Sequence, residues 1–317
     1  MRLKIALALI ILEIGSSCYR SKDHSSELIL FATVSNSPFQ DSIYTVAPDG
    51  SDLEQLFIPR KGRSYVYASG NSLRQGLVVT VHEINPLGQV ENHNYWCEIA
   101  TNKWHRLLMR DGIEGAGYLS PDGSKIICMF NLGSKVAQQL HPWTIHLTSG
   151  ETKNLTNDET DAGVWDESVS WRPDGQEILF VRLQLTDDKL ASTLMRASLS
   201  GGTSSLLFGP DVGVVAACYA PDAALMAVFT SKGLEVVERS NLQRRLILPW
   251  SSLPHAQFRS GGLVWSRNNN LISFGIFNKE AKEYELWTVV ADGSHAKKVL
   301  SQNEKHGRIT VTGFIQI

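Results

Sequence analysis

The sequence predicts an all-β fold, a β-propeller of six four-stranded blades, and three observations support this prediction. A hairpin built around Pro-Asp-Gly recurs at intervals of about 50 residues, which is the mark of a repeat architecture. A second two-strand pattern alternates with that hairpin. Lone strand-like segments stand at 27–34 and 308–315. Pairing these two segments would close the blades into a ring and leave no exposed sheet edge, whereas linear stacking would leave both ends open.

The recurring hairpin is an apolar strand, a tight turn and a second apolar strand. Its clearest copies are GYLSPDGSKIICMF at 117–130, VSWRPDGQEILFV at 169–181, ACYAPDAALMAVF at 217–229 and LVWSRNNNLISFG at 263–275, with a looser copy at 65–79. Proline presets the second turn position, Asp bonds back to nearby amides, and Gly adopts the left-handed conformation that reverses the chain. The last turn position holds Gly123 and Gly175 in two copies but Ala223 and Asn269 in the others. We expect a hairpin turn at all of them.

The alternating pattern is a strand, a turn often built from Asp-Gly or Ser-Gly, and a short strand ending in an apolar residue. It occurs six times, at 43–57, 95–108, 143–156, 194–208, 234–248 and 286–300. Alternation with the hairpins gives six blades over residues 27–317. The segment 27–34 aligns with the second hairpin strand at 176–183 but lacks a first strand before it. We expect 308–315 to supply that first strand and close the ring.

One repeat carries a family resemblance. The stretch LTNDETDAGVWDESVSWRPDGQEILFV at 155–181 resembles the unit of TolB-type β-propellers, which runs from Leu-Thr through an acidic linker to a Trp, a Pro-Asp-Gly turn and an apolar strand. At the level of repeats the resemblance covers 27–317. It implies a six-bladed propeller and leaves several functions open, because the same unit occurs in the cell-envelope protein TolB, in the gating propellers of prolyl-oligopeptidase-type peptidases and in oligogalacturonate lyases.

Residues 1–17 have the layout of a secretory signal, with two positive charges, an apolar run from Ile5 to Ile14 and then small residues. The run is about half of the ~20 residues that a membrane-spanning helix needs. The small residues ending at Cys18 resemble the lipobox of bacterial lipoproteins, which implies an acylated Cys18, a polar tether over 18–26 and an exported protein held on the cell membrane or outer membrane. Cleavage to a soluble exported protein and an uncleaved anchor are the alternatives.

Composition excludes several function classes. The chain has 30 Lys and Arg against 32 Asp and Glu, so it lacks the basic surface of a nucleic-acid-binding protein. It has no Gly-x-Ser-x-Gly elbow and no Gly-rich phosphate loop before a Lys, so nucleophilic catalysis is not predicted. Cys97, Cys128 and Cys218 lie in apolar runs, where a thiol behaves as a small buried hydrophobe.

The expected connectivity places the tight turns on one face, here called the tight-turn face, and the longer connections on the opposite, long-loop face. The within-blade connections assigned to the long-loop face are 35–42, 83–92, 131–141, 183–191 and 277–284. Binding residues concentrate in long loops on rigid scaffolds, so we expect the functional surface there.

Five histidines fall on the long-loop face, namely His82, His93, His141, His255 and His306. A ring of imidazoles could hold a transition metal, as the resemblance to the lyases implies, although long polar loops also collect histidines by chance. Acidic residues are dense in the segment 158–167, which contains Asp158, Glu159, Asp161, Asp166 and Glu167. They could bind calcium or form a solvated acidic loop.

The remaining candidates are near the expected channel. Asp166 and Glu167 begin the innermost strand of the fourth blade and are expected to point into the channel. Trp165, Trp250 and Phe258 lie outside the repeat pattern and could stack on a sugar or on a partner side chain, or cap the channel.

These residues indicate a non-catalytic exported propeller that binds an envelope protein or a glycan through its long-loop face. A metal-dependent enzyme of the oligogalacturonate-lyase type, with a His-lined site at the propeller mouth, is the alternative. Sensing of a small molecule and a purely structural role also remain open.

Overall fold

The structure, a computed structural model, describes residues 27–35, 40–70, 76–107, 113–131, 140–156, 163–187, 189–253, 255–258, 262–268 and 270–315. In this part of the chain, 25 strands form six antiparallel sheets that are the blades of a propeller. Three short 3-10 turns lie at Pro210–Val212, Trp250–Ser252 and Glu304–His306. A search of the described residues found no apolar helix of membrane-spanning length.

The blades follow one another along the chain. Blade 1 contains β1 (Leu28–Val34), β2 (Ser42–Val46) and β3 (Glu54–Gln55). Blade 2 contains β4 (Arg63–Gly70), β5 (Gly76–Ile84), β6 (Val90–Glu98) and β7 (Lys103–Arg106). Blade 3 contains β8 (Ile113–Leu119), β9 (Lys125–Asn131), β10 (His141–His146) and β11 (Thr152–Asn154). Blade 4 contains β12 (Val164–Trp171), β13 (Glu177–Thr186), β14 (Lys189–Ser198) and β15 (Ser205–Phe208). Blade 5 contains β16 (Ala216–Tyr219), β17 (Leu225–Thr230), β18 (Gly233–Glu238) and β19 (Arg244–Pro249). Blade 6 contains β20 (Ala256–Gln257), β21 (Leu263–Trp265), β22 (Leu271–Asn278), β23 (Glu283–Val290) and β24 (Lys297–Asn303).

The last strand, β25 (Arg308–Ile315), closes the ring as the sequence predicts. It pairs antiparallel with β1 from Leu28↔Ile315 to Val34↔Arg308 and so supplies the innermost strand of blade 1. The innermost strands β4, β8, β12, β16, β21 and β25 each contact the next, and β25 contacts β4. The prediction of a closed six-bladed propeller is therefore confirmed, and blades 1 and 4 lie opposite each other in the ring.

Buried side chains form six clusters in the described part of the chain, one at each interface between neighbouring blades. Phe180, Phe229 and Phe274 are among the largest fully buried side chains. Burying each such ring stabilises the fold by roughly 1.5–3 kcal/mol relative to exposing it. The stability of the propeller thus resides between the sheets, where each blade covers the apolar face of the next.

The hairpin turns have the predicted chemistry. The amides of Gly123, Gly175 and Ala223 donate to the carbonyl three residues earlier over 2.8–2.9 Å, and these residues have left-handed φ angles of 68°, 68° and 59°. The turn aspartates bond back to the chain, as where Asp174 accepts the amide of Gln176 at 3.0 Å. Ala223 therefore adopts a conformation that favours glycine. Asn269 lies outside the described residues.

The first described residue is fixed at the tight-turn face. The carboxylate of Glu27 accepts the amide of Arg267 at 3.1 Å, and the Arg267 side chain lies 3.6 Å from the same oxygen. Arg267 belongs to the turn that joins β21 to β22. The chain thus enters the propeller on the face opposite the long connections.

Candidate functional site

The six innermost strands surround a central channel with a volume of about 400 Å³. Its described lining includes hydroxyl-bearing residues and six aromatic residues, which are Tyr67, Tyr118, Trp171, Tyr219, Phe258 and Trp265. Glu167 and Arg308 are the two charged residues in that lining. A small concave site with aromatic walls and a few polar groups is the ordinary form of a small-molecule site.

Arg308 and Glu167 face the channel from opposite sides of the ring. Arg308 begins β25 in blade 1, and Glu167 lies near the start of β12 in blade 4. Their partners in the neighbouring strands are Val34 and Val181, so both lie towards the long-loop end of the channel. No ion pair within 4.0 Å joins these two described residues, and the Nε of Arg308 is buried without a hydrogen-bond partner in the part of the chain that the structure describes. Burial raises the pKa of the Glu167 carboxyl, and the positive charge of Arg308 opposes that rise.

A β-bulge follows Glu167 in the innermost strand of blade 4. The pairing of β12 with β13 shifts between Glu167 and Ser170, and the intervening Ser168 has a left-handed φ of 56°. A non-glycine residue in this conformation costs about 1–2 kcal/mol, and bulges re-aim the side chains around them. Ser168 also lines the channel. The strained residue and the channel carboxylate are therefore neighbours on one strand.

Two tyrosines form a neutral hydroxyl-bearing wall of the channel. The rings of Tyr67 and Tyr118, from blades 2 and 3, have centroids 5.0 Å apart in a tilted arrangement. Burial raises the pKa of Tyr118 to about 12 and raises that of Tyr67 well above its ordinary value. Both hydroxyls therefore stay protonated at neutral pH.

Asp166, which we expected to point into the channel, is instead buried between blades 3 and 4. Its Oδ2 lies 2.9 Å from Nδ1 of His141 in blade 3, and its two oxygens accept from Nε and Nη2 of Arg182 at 2.8 and 3.1 Å. Successive residues of a strand point to opposite sides, so Asp166 faces the neighbouring blade while Glu167, the next residue, lines the channel. The Nε2 of His141 is buried without a partner among the residues described.

The same arrangement recurs one interface earlier. His93 occupies the position in β6 that His141 occupies in β10, and Glu114 occupies the position in β8 that Asp166 occupies in β12. His93 Nδ1 lies 3.7 Å from Glu114 Oε1, and burial raises the pKa of Glu114. A repeat-locked pair of this kind indicates a contact that joins adjacent blades.

The other candidate histidines are separate from these pairs and from one another. His82 lies 3.9 Å from Asp41, and burial lowers the pKa of its imidazole against the opposing effect of that carboxylate. His255 pairs with Glu280 at 2.8 Å on the surface. His306 is exposed in a 3-10 turn. Within the described ranges, no three His, Cys, Asp or Glu side chains form a group that could hold a metal ion. The residues present do not fit the metal site that the lyase resemblance implies.

Two of the three aromatic candidates pack against the interior between blades 5 and 6. Trp250 stacks on Phe229 with centroids 5.2 Å apart, and its Nε1 donates to the carbonyl of Thr230 at 3.0 Å. Phe258 contacts the same Phe229 at 5.0 Å and also lines the channel. Trp165 packs against the cluster between blades 4 and 5. Cys18 and the acidic residues Asp158, Glu159 and Asp161 lie outside the described residues.

The long-loop face consists partly of extended hairpins rather than loops, which corrects the sequence-based description. The segment 183–191 is mostly strand, because β13 reaches Thr186 and β14 begins at Lys189. The segment 83–92 is likewise a hairpin with a five-residue tip at 85–89, between β5 and β6. The segment 277–284 is a third hairpin, with its turn at 279–282 between β22 and β23.

These hairpin tips carry exposed aliphatic side chains that the sequence analysis missed. Seven of the ten exposed large hydrophobic residues among those described lie on this face, namely Ile58, Ile84, Leu87, Val90, Leu185, Leu190 and Val215. Leu87 is 82% exposed and Leu190 is 58% exposed. The sequence does carry a signal for them, because aliphatic residues stand among polar residues at the tips of the β5–β6 and β13–β14 hairpins. Arg308 was also missed as a site residue, because it reaches the channel only when the ring closes.

Solved structures share this fold. The chain superposes on TolB from Acinetobacter baumannii with a TM-score of 0.67 at 13% identity, over 92% of this chain and 67% of that one. For a putative TolB from Agrobacterium tumefaciens the TM-score is 0.62 at 10% identity, over 92% and 99%. For an oligogalacturonate lyase in complex with manganese it is 0.51 at 12% identity, over 87% and 74%. No protein-family model and no curated protein matches the sequence. The chain is thus an all-β, six-bladed propeller with the fold seen in the TolB structures.

Proposed function

We propose that this protein is an exported, non-catalytic propeller that binds a partner protein of the cell envelope through its long-loop face. The observation that supports the proposal is the set of aliphatic side chains exposed on the β5–β6 and β13–β14 hairpins. Single exposed aliphatic residues are normal on protein surfaces, but their concentration on one face is typical of an interaction surface.

Hydrogen bonds fix the backbone of the β5–β6 tip. The Asn85 side chain accepts the amides of Leu87 and Gln89, each at 2.9 Å, and the amide of Gly88 donates to the carbonyl of Asn85 at 2.9 Å. Leu87 is therefore presented on a hydrogen-bonded turn. A pre-organised turn loses little backbone entropy when a partner buries it.

A protein partner fits these tips better than a glycan does. Glycan recognition by stacking would need an accessible aromatic ring, but Trp250 is stacked on Phe229 and bonded to the chain. The interface cores of protein partners are apolar, which matches aliphatic side chains such as Leu87 and Leu190.

The lyase alternative has less support from the geometry. Of the five histidines proposed for a metal, His93, His141 and His255 each lie beside a different carboxylate, on different blades. A stoichiometric transition metal in purified protein that is lost on His141→Ala would favour the enzyme over the binding protein.

Capture from an envelope extract tests the binding proposal. We expect Leu87→Asp and Leu190→Asp to abolish cross-linking to the captured partner, because each puts a charge into the apolar contact. Leu53→Asp is the matched control, since Leu53 is 45% exposed on the tight-turn face. Equal loss of capture in the control, or unchanged capture in both test variants, would contradict the proposal.

Attachment to a membrane through an acylated Cys18 is part of the same proposal and is supported by the leader pattern at 1–18. Metabolic palmitate labelling with Cys18→Ala as control tests it. We expect label in the wild type alone. Unlabelled wild-type protein released in soluble form would contradict the anchor but not the binding surface.

A further inference from the structure

We propose that the central channel binds a small zwitterion, with its carboxylate on Arg308 and its ammonium group on Glu167. This site goes beyond the proposed function, because the partner contacts the hairpin tips whereas the small ligand enters the channel between the blades. Either proposal can fail without the other.

The first argument is the arrangement of charge. Arg308 and Glu167 are the charged residues in the described lining, and they project from opposite blades of the ring. The positive charge of Arg308 acts on the Glu167 carboxyl, yet no ion pair within 4.0 Å joins these two described residues. Opposite charges held apart across a cavity are complementary to a ligand that carries both charges.

The second argument is the unsatisfied donor on Arg308. Its Nε is buried and has no hydrogen-bond partner among the described residues. A buried donor without a partner costs about 1–3 kcal/mol, so such groups call for an explanation. The guanidinium group presents its donors as a planar fork that matches the two oxygens of a carboxylate.

The third argument is the strained wall beside Glu167. Ser168 has a left-handed φ of 56° within the bulge of β12 and lines the same channel. Backbone strain of this kind concentrates at binding and catalytic sites, where it sets the direction of a functional side chain. Here the strained residue follows directly after Glu167, the carboxylate that lines the channel.

The size and lining of the channel indicate the body of the ligand. A volume of about 400 Å³ is at the lower end for small-molecule sites and suits an amino acid or a dipeptide better than a polymer. Aromatic residues from five blades line it, including the paired rings of Tyr67 and Tyr118. An aromatic ligand body would pack favourably against them.

Calorimetric titration of the full chain with three matched probes tests the proposal. L-phenylalanine carries both charges, N-acetyl-L-phenylalanine lacks the ammonium group, and L-phenylalaninamide lacks the carboxylate. We expect L-phenylalanine to bind and each blocked probe to bind at least about tenfold more weakly, a difference of about 1.4 kcal/mol per lost contact.

Charge-removing variants then assign each end of the ligand. We expect Arg308→Gln to weaken L-phenylalanine about tenfold and to remove its advantage over the amide. Glu167→Gln should instead remove its advantage over the N-acetyl probe. Arg60→Gln is the control, because Arg60 is exposed on the long-loop face outside the channel lining.

Three results would overturn the zwitterion site. The first is no heat of binding with L-phenylalanine up to about 10 mM, which is far above a typical small-ligand Kd. The second is equal binding of all three probes. The third is unchanged binding in both channel variants. Binding of the N-acetyl probe as tight as that of L-phenylalanine would mean that the channel takes a simple anion. If Arg308→Gln does not fold, Glu167→Gln alone decides, since that substitution keeps the shape of the side chain.

Discussion

The buried carboxylate of Asp166 should be one of the most sensitive positions in the propeller. Its side chain is inaccessible to solvent and makes three short contacts, with His141 at 2.9 Å and with Arg182 at 2.8 and 3.1 Å. Asp166→Ala would remove the carboxylate that the Arg182 guanidinium and the His141 imidazole share at the interface of blades 3 and 4. Breaking a buried pair in this way costs about 3–5 kcal/mol. For a chain of this size that corresponds to a fall in Tm of roughly 10 °C.

Urea unfolding followed by circular dichroism measures this loss, with Glu280→Ala as the matched control. Glu280 lies 2.8 Å from His255, nearly the same spacing, but the pair is exposed to solvent. Exposed pairs contribute at most about 1 kcal/mol, so the control should unfold almost like the wild type. If Asp166→Ala lost no more stability than Glu280→Ala, the network would not hold the two blades together, and the reasoning from burial would be refuted.

Four further predictions test the turns, the channel, the closure and the thiols. Ala223→Gly should raise the free energy of unfolding by about 1 kcal/mol by relieving its left-handed φ, and Gly175→Ala, where an added Cβ would make only an ordinary contact of 4.0 Å with Pro121, should lower it by a similar amount in urea unfolding. Burial raises the pKa of Glu167 above its ordinary value of 4.5. Just above pH 4.5 the carboxyl therefore keeps its proton in the folded state but has lost it in the unfolded state, so the stability of the wild type falls as the pH rises. Glu167→Gln should therefore gain stability relative to the wild type as the pH rises above about 4.5 in parallel urea titrations, and a difference that does not change with pH would contradict the assignment. A chain ending at Gly307 lacks β25 and should aggregate in size-exclusion chromatography because β1 becomes an exposed edge. The three described cysteine thiols are buried, so they should react with a thiol reagent only after unfolding.

The fold could be predicted from the sequence because its determinants are local and repeated. The turn at Gly175 is specified by Pro, Asp and Gly within four residues, and its copies fix the spacing of the blades. Closure followed from one unpaired strand near each end of the chain. Strand length was harder to predict, since Leu185 and Leu190 extend a hairpin where polar residues indicated a loop.

The candidate site depends on features that the sequence pattern does not carry. Arg308 and Glu167 face each other across the channel only because the ring closes. Asp166 and Glu167 are neighbours on β12 and point to opposite sides, and the sequence pattern does not indicate which of the two faces the channel. The structure also separates the candidate histidines, because the blade repeat places His93 beside Glu114 and His141 beside Asp166, each in the next blade.

The bond between Glu27 and the Arg267 amide determines how the molecule can be oriented on any support. Glu27, the first described residue, therefore lies on the tight-turn face, and Leu87 and Leu190 lie on the opposite face. If the proposed acylated Cys18 anchors the protein, the face that carries Leu87 and Leu190 would be the one opposite Glu27.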